Sequence, residues 1–283
     1  MDTQNNTHPG RIAARFAELS ARNEAALIPY IVAGDPSLKR TRELALELEA
    51  RGADLIELGV PFSDPMADGS ANQRASARGL AAGATLPAIL AMVAELRKVS
   101  RIPLILFGYF NPILHYGCER LCADAARAGI DGLLVVDLPP EEAAELAEPA
   151  ARHGLDIIYL LAPTTPLERA RRIARSASGF LYYVSVTGVT GARANLAADL
   201  AGKVGQLRTV ANLPIGVGFG ISTPAQAGAV AAFADAVVVG SALSLLIEAN
   251  ADQEDLVATA GDFVATLKDA IRAARIPAPG AVA

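Results

Sequence analysis

Two carboxylates and two glycine-rich stretches are the residues of this sequence whose types and spacing could do chemistry. Glu57 lies inside the apolar run Leu55-Ile56-Glu57-Leu58-Gly59. If that run is a strand, successive side chains alternate, so Leu55 and Glu57 point one way and Ile56 and Leu58 the other. A carboxylate on an inward face is costly unless it is paired, hydrated or used. Glu57 is therefore either half of a structural ion pair or an acid–base group. Asp68 follows in Ala67-Asp68-Gly69. Alone it reads as a turn aspartate. Beside Glu57 it makes a pair whose environments can hold one member neutral and the other ionised.

The glycine-rich stretches are Gly216-Val217-Gly218-Phe219-Gly220-Ile221-Ser222 and Val237-Val238-Val239-Gly240-Ser241. Each closes an apolar run, and Ser241 opens a short helical one. Backbone N–H groups at such glycines and at a helix N-terminus can hold a phosphate. A dinucleotide fingerprint fits poorly, because the spacing is not G-x-G-x-x-G and the site is near the chain's end. Plain turn glycines remain the other reading.

What is missing narrows the chemistry further. Lys39, Lys98, Lys203 and Lys268 are the only lysines, and none ends a predicted strand, which disfavours a Schiff-base mechanism. His8, His115 and His153 are the only histidines and show no ligand spacing, which disfavours a zinc site. No Gly-x-Ser-x-Gly elbow occurs. A phosphate anchor with acid–base carboxylates is left. Such a site can cleave a carbon–carbon bond only when the substrate supplies its own electron sink.

These residues need a scaffold, and the sequence supplies an alternating one. Short β-like runs are predicted at Leu27–Ala33, Asp54–Gly59, Ile102–Phe107, Gly132–Val136, Asp156–Leu160, Phe180–Val184, Ile215–Gly218 and Ala236–Val239. Helical patterns lie between them at Leu38–Ala50, Leu86–Val99, Glu119–Ala128, Pro140–Arg152, Pro166–Arg175 and Thr223–Phe233, with a polar helix at Arg11–Ala21 ahead of them all. Thr165-Pro166 and Thr223-Pro224 read as N-caps followed by proline at N1. Alternation of this kind makes a parallel sheet. Eight βα units close it into a (β/α)8 barrel of the TIM type, with an extra N-terminal helix and long loops after strands 2 and 6. The 283 residues suit one such domain, with 1–9 and 277–283 as tails. Glu57, Asp68 and both glycine stretches then fall at the C-terminal ends of strands, where barrel enzymes keep their active sites.

Bulk properties exclude other classes. The chain is 52% hydrophobic with a net charge of −5 and no long basic run, so neither nucleic acid nor an anionic membrane is a main partner. Cys118 and Cys122 are four apart on one helix face and read as core residues, not a disulfide framework. The polar start MDTQNNTHPG does not resemble a signal peptide, and the apolar runs are too short to span a membrane. A cytoplasmic location is expected.

The run Glu57-Leu58-Gly59-Val60-Pro61-Phe62-Ser63-Asp64-Pro65-Met66-Ala67-Asp68-Gly69 resembles the signature of the tryptophan synthase alpha subunit family. The likeness continues through Pro29–Pro36, Asn111-Pro112-Ile113, Asp137–Glu142, Ala162–Pro166, Gly188-Val189-Thr190-Gly191 and Gly218–Ser222. It implies a lyase that splits indole-3-glycerol phosphate into indole and glyceraldehyde 3-phosphate, the indole ring protonated at C3 being the electron sink. It further implies that Glu57 is the acid–base and that Asp68 binds the indole N–H. Tyr182 would line the substrate pocket, although core packing is its other reading. Gly191, Phe219, Gly220, Gly240 and Ser241 would form the phosphate cradle. Thr190 belongs with these binding residues, its hydroxyl placed to hold the loop after strand 6 closed. No cofactor is expected in this chain. Pyridoxal phosphate would sit in a partner beta subunit, within an alpha2beta2 tetramer. Two departures occur. Ser70-Ala71-Asn72-Gln73 stands where the family usually has proline after Asp68-Gly69, and Phe107-Gly108-Tyr109-Phe110 is less typical before Asn111-Pro112. Both are near loops the family uses toward its partner, so they bear on communication with it more than on the chemistry.

Overall fold

Helix and strand alternate through most of the chain in the computed structural model, which describes residues 10–184, 193–218 and 220–274. The order is α1 (Arg11–Ala21), β1 (Ala26–Val32), α2 (Leu38–Ala50), β2 (Ile56–Gly59), α3 (Ser70–Ala81), α4 (Leu86–Leu96), β3 (Leu104–Gly108), α5 (Phe110–Tyr116), α6 (Cys118–Ala128) and β4 (Gly132–Val135). A 3-10 turn (Pro140–Glu142) follows. Then come α7 (Ala144–Arg152), β5 (Asp156–Leu161), α8 (Leu167–Ser176), β6 (Leu181–Val184), α9 (Arg193–Arg208), β7 (Ile215–Gly218), α10 (Pro224–Ala231), β8 (Ala236–Val239), α11 (Ser241–Ala249) and α12 (Leu256–Ala273). The eight strands are parallel and close in sequence order, β8 pairing with β1. The expected TIM barrel is the fold. The expected tails, 1–9 and 277–283, lie outside the described residues, and no single helix among the described ones is long and apolar enough to cross a membrane.

Both faces of most strands are buried, which is why they read as near-continuous apolar runs. Ile28, Leu55, Ile105, Leu134, Ile158 and Val238 fill the barrel interior. Ile12, Phe16 and Leu19 of α1 join them, Phe16 meeting Phe180 with ring centroids 5.7 Å apart. α1 thus plugs the N-terminal mouth. The alternate residues, among them Leu27, Ile31, Ile56, Leu58 and Val237, face the ring of helices.

The N-terminal rim repeats one device four times. The first or second N–H of each odd strand donates to a side chain that precedes the next even strand. Leu27 donates to Asp54 at 2.7 Å and Leu104 to Asp131 at 2.8 Å. Ile157 donates to Ser178 Oγ at 2.9 Å and Ile215 to Asp235 at 2.8 Å. Strand-starting donors that have no ladder partner are satisfied in this way. Lys268 of α12, 1% exposed, adds an ammonium 2.6 Å from Asp54 and 2.5 Å from Glu24.

Several expected boundaries shift. β2 and β3 start two residues later than predicted, because Asp54 and Pro103 belong to the rim. The helix predicted at Pro140–Arg152 divides into the 3-10 turn and α7. Thr223 caps α10 as expected, in a full capping box with Gln226. Thr165 does not cap α8: its Oγ1 accepts from Ala162 N–H at 3.0 Å, and Pro166 takes the N-cap position. Helices α3, α5, α9 and α12 have no counterpart among the predicted ranges. α3 buries only small residues, Ala71, Ala75, Ser76 and Gly79, so it shows no apolar stripe. A Cβ on Gly79 would sit 2.7 Å from the Ala33 carbonyl oxygen, and the glycine lets α3 approach β1.

Candidate active site

β2 carries Glu57 into the interior beside Tyr30 and Ile105, its neighbours across the two ladders. The alternation expected for Leu55–Leu58 holds, with Leu55 in the inner cluster and Ile56 and Leu58 in the outer one. Glu57 is 1% exposed, and its Oε1 has no hydrogen-bond partner among the described residues. Burial without a compensating charge pushes its carboxyl from 4.5 up to about 8, since desolvation penalises the ionised form. Among the described residues no cation pairs with Glu57, and a carboxyl pushed up to about 8 favours the protonated form at neutral pH.

Asp68 ends the loop between β2 and α3. It accepts from Tyr109 Oη at 3.0 Å. The Tyr109 hydroxyl in turn accepts the Ala67 N–H at 2.9 Å. Burial raises the Asp68 carboxyl above its ordinary value, while Tyr109 and Asn72 pull it back. Of the two carboxylates, Asp68 is the one with a donor, the Tyr109 hydroxyl, to stabilise its charge among the described residues. Burial, with Glu57 as a lesser cause, holds the Tyr182 hydroxyl well above its usual range; burial does the same for Tyr30, with Asp68 and Glu57 adding.

One cavity of about 210 Å³ joins these groups, and residues on or just beyond all eight strands line it. Glu57 and Asp68 face it on the β2 side. Phe107, Val136, Leu160, Val184 and Val238 make an apolar wall, and Gly220, Gly240 and Ser241 supply the rim on the β7–β8 side. Gly220 has φ +78°, a left-handed conformation suited to glycine. Gly240 is the N-cap of α11 and carries no side-chain cap, so the first N–H groups of that helix are free of intrahelical acceptors. Tyr182 lines the cavity and is also a core residue, 8% exposed. Any Cβ at Gly59 or Gly218 would collide with the hydroxyls of Tyr30 or Tyr182 respectively.

Six of the nine expected site residues, Glu57, Asp68, Tyr182, Gly220, Gly240 and Ser241, meet at this cavity. Thr190, Gly191 and Phe219 lie outside the described residues. Sequence reasoning missed Tyr30, Asn72, Phe107 and Tyr109. Tyr30 was findable: it continues the inward phase of Ala26 and Ile28 and is the polar-tipped member of an apolar strand. Asn72 and Tyr109 stand in the two departures from the family pattern. Tyr109 places its hydroxyl on Asp68 itself and Asn72 lines the same cavity, closer to the chemistry than the sequence suggested. The buried Lys268 serves the opposite rim. Among the described residues, no three His, Cys, Asp or Glu side chains gather as metal ligands.

Comparison with known proteins gives a consistent picture. The family model described as tryptophan synthase alpha chain matches residues 16–272. The tryptophan synthase alpha chain of Geobacter sp. (strain M21) is 57% identical over 261 residues, spanning 92% of this chain and 97% of that one. The alpha chain of Gluconacetobacter diazotrophicus is 55% identical over 86% of this chain and 89% of its own length. Among solved structures, tryptophan synthase subunit alpha from Legionella pneumophila str. Paris superposes with a TM-score of 0.87 at 42% identity, covering 93% of this chain and 99% of that one. A chain of Mycobacterium tuberculosis tryptophan synthase does so at 0.84 and 34%, covering 94% and 99%.

Proposed function

The chain belongs to the tryptophan synthase alpha chain family, and we propose that Glu57 and Asp68 carry out that family's reaction in the barrel cavity. The enzyme is a carbon–carbon lyase of L-tryptophan biosynthesis that cleaves indole-3-glycerol phosphate to indole and glyceraldehyde 3-phosphate. The observation that carries the proposal is the pairing of opposites at one mouth. Glu57 is buried, its Oε1 without a partner among the described residues and its carboxyl pushed up to about 8, while Asp68 is half-buried and accepts from the Tyr109 hydroxyl.

The steps follow from those states. The substrate's phosphate lies against Gly220, Gly240 and Ser241, and its ring against the apolar wall with Tyr182. The ring N–H donates to the Asp68 carboxylate. Glu57 gives its proton to C3 of the ring, and Asp68 stabilises the positive charge this creates. The newly ionised Glu57, poorly solvated, takes the proton of the side-chain hydroxyl next to C3. The bond between C3 and that carbon breaks. Its electron pair returns to the ring, the oxygen becomes an aldehyde, and Glu57 ends protonated as it began.

The test is indole release from indole-3-glycerol phosphate. Glu57→Gln is expected to lower kcat by ~10²–10⁴-fold, the usual contribution of a general acid–base. Asp68→Asn is expected to lower it by ~10²–10³-fold. Rates within a few-fold of the parent for either variant would remove that residue from the mechanism.

The reading extends to a partner, a beta subunit that holds pyridoxal phosphate, in an alpha2beta2 tetramer; this chain itself needs no cofactor. Met66 supports it. This apolar side chain is 87% exposed on the loop that carries Asp68, two residues before it, and a partner covering it would press on the catalytic loop. Indole release with and without a cognate beta subunit tests this, with faster turnover expected in the complex. The enzyme is placed in the cytoplasm, where the free thiols of Cys118 and Cys122 suit a reducing environment.

A further inference from the structure

We propose that Tyr30 is a further substrate-binding residue, its hydroxyl bonding the hydroxyl on the middle carbon of the substrate's three-carbon chain; this rests on the reading of the cavity as the site of indole-3-glycerol phosphate cleavage.

The chain between ring and phosphate carries two hydroxyls. Glu57 serves the one next to C3, whose proton it takes. The other, on the middle carbon, takes no part in the bond changes. It still loses water on entering a cavity with an apolar wall, and such a group is costly to bury without a hydrogen bond. The polar side chains lining the cavity are Tyr30, Glu57, Asp68, Asn72, Tyr182 and Ser241. Glu57 and Asp68 serve the reacting hydroxyl and the ring N–H. Ser241 opens α11 on the phosphate rim. Asn72 accepts the Ser244 hydroxyl on its Oδ1 at 2.9 Å. Its amide nitrogen lies 3.8 Å from where a Gly240 Cβ would stand, on the same rim. The two tyrosines remain.

Position selects Tyr30. It is the ladder partner of Glu57 on β2. On its other side the ladder with β8 ends on the pair Pro29–Val239, so Gly240 comes level with Tyr30. A Cβ on Gly240 would meet the Tyr30 ring at 3.5 Å, and a Cβ on Gly59 would collide with its hydroxyl. The side chain thus starts at the phosphate rim and ends over Gly59, one step beyond Glu57 on the inward face of β2. The substrate's chain spans the same interval, from the phosphate at Gly240 to the acid at Glu57. Tyr182 sits on the opposite wall, four strands from β2, with its hydroxyl over Gly218 of β7.

The Tyr30 hydroxyl is also fit for the task. The residue is 5% exposed, and its ring is fixed edge-on to Phe107 with centroids 5.0 Å apart. Among the described residues nothing hydrogen-bonds its hydroxyl. Burial, with Asp68 and Glu57 as lesser causes, keeps the group protonated, so it can donate or accept. A rigid, neutral hydroxyl suits a substrate hydroxyl that stays neutral throughout.

The experiment compares the parent, Tyr30→Phe and Tyr182→Phe, each with its cognate beta subunit, on three ligands. Indole-3-glycerol phosphate has both chain hydroxyls, glyceraldehyde 3-phosphate keeps the middle one, and indole-3-propanol phosphate has neither. Tyr30→Phe keeps the ring and removes one oxygen. It is expected to raise KM for indole-3-glycerol phosphate and the Kd of glyceraldehyde 3-phosphate by ~3–10-fold, the scale of one neutral hydrogen bond. The Kd of indole-3-propanol phosphate should stay within about twofold. Because the bond is the same before and during reaction, kcat should also stay within about twofold. Equal weakening of all three ligands would mean lost packing, and a fall in kcat at constant KM would mean that the hydroxyl acts on Glu57; either overturns the proposal. So does the same split between ligands in Tyr182→Phe and not in Tyr30→Phe, or no change at all in Tyr30→Phe. Each of these leaves the lyase reading standing, whereas a parent complex that releases no indole overturns both.

Discussion

Asp54 and Glu57 stand three residues apart on one stretch of chain, and each is 1% exposed, yet the protein treats them in opposite ways. Asp54, on the N-terminal rim, receives Arg15 at 2.6 Å, Lys268 at 2.6 Å and the Leu27 N–H at 2.7 Å. Glu57, at the other mouth, has an oxygen with no partner among the described residues and a carboxyl held near 8. Burial of an acid is thus no mark of function by itself. The set of partners decides whether burial locks a charge in place or keeps a proton on. The rim at Asp54 ties α1, β1 and α12 together, and the mouth at Glu57 leaves a group free to react.

The largest expected effect on the fold comes from the paired end. Asp54→Ala leaves the buried Lys268 ammonium with Glu24 as its one remaining carboxylate and takes the acceptor from Arg15 and the Leu27 N–H; breaking a buried pair from one side costs up to about 3–5 kcal/mol. The kcat of the protein that remains folded should stay within about twofold of the parent. Glu57→Gln is expected to do the reverse, with activity lost and stability gained. The sign follows from proton binding. Between pH 4.5 and about 8 the folded chain holds a proton on Glu57 that the unfolded chain has released. Stability of the parent therefore falls as pH rises through that window. Relative to the parent, Glu57→Gln should gain nothing near pH 4 and up to a few kcal/mol by pH 8, then level off. Urea unfolding at pH 4, 6 and 8 measures both variants. Equal behaviour of the two would erase the distinction between the rims.

A smaller effect sharpens the map of the reactive mouth itself. Gly220→Asp places a carboxylate on the cavity rim, in a left-handed conformation that aspartate tolerates at modest cost. It should weaken binding of glyceraldehyde 3-phosphate by about tenfold or more, since a like charge within a few ångströms is worth at least ~1 kcal/mol. Indole binding should be unchanged. Equal loss of both ligands by titration would mean that Gly220 is not near the phosphate.

The two rims also differ in how far the sequence revealed them. The reactive mouth was largely legible: an acid in the middle of an apolar strand has few explanations, and strand alternation gave the direction of Glu57 correctly. The barrel was legible too, because strands buried on both faces leave apolar runs. The paired rim was not. Arg15, Lys268 and Asp54 are 39 and 214 residues apart along the chain in their contacts, and no local pattern announces a partner at that distance. α3 was hidden for another reason. It packs through alanine, serine and glycine, so neither periodicity nor hydrophobicity marks it, and with it went Asn72. Tyr109 was quoted for its place in a motif, but only the three-dimensional position of its hydroxyl shows that it serves Asp68.

The claim on which the mechanism depends is that Glu57 carries a proton at neutral pH. The direct measurement is a pH titration of its side-chain carboxyl by ¹³C NMR on the intact chain, assigned by loss of the signal in Glu57→Gln. A midpoint near 8, the value its burial implies, is the predicted result, with a basic limb of kcat at the same pH. A midpoint close to the ordinary 4.5 would make Glu57 a carboxylate at neutral pH, and it could not then be the acid that protonates the ring.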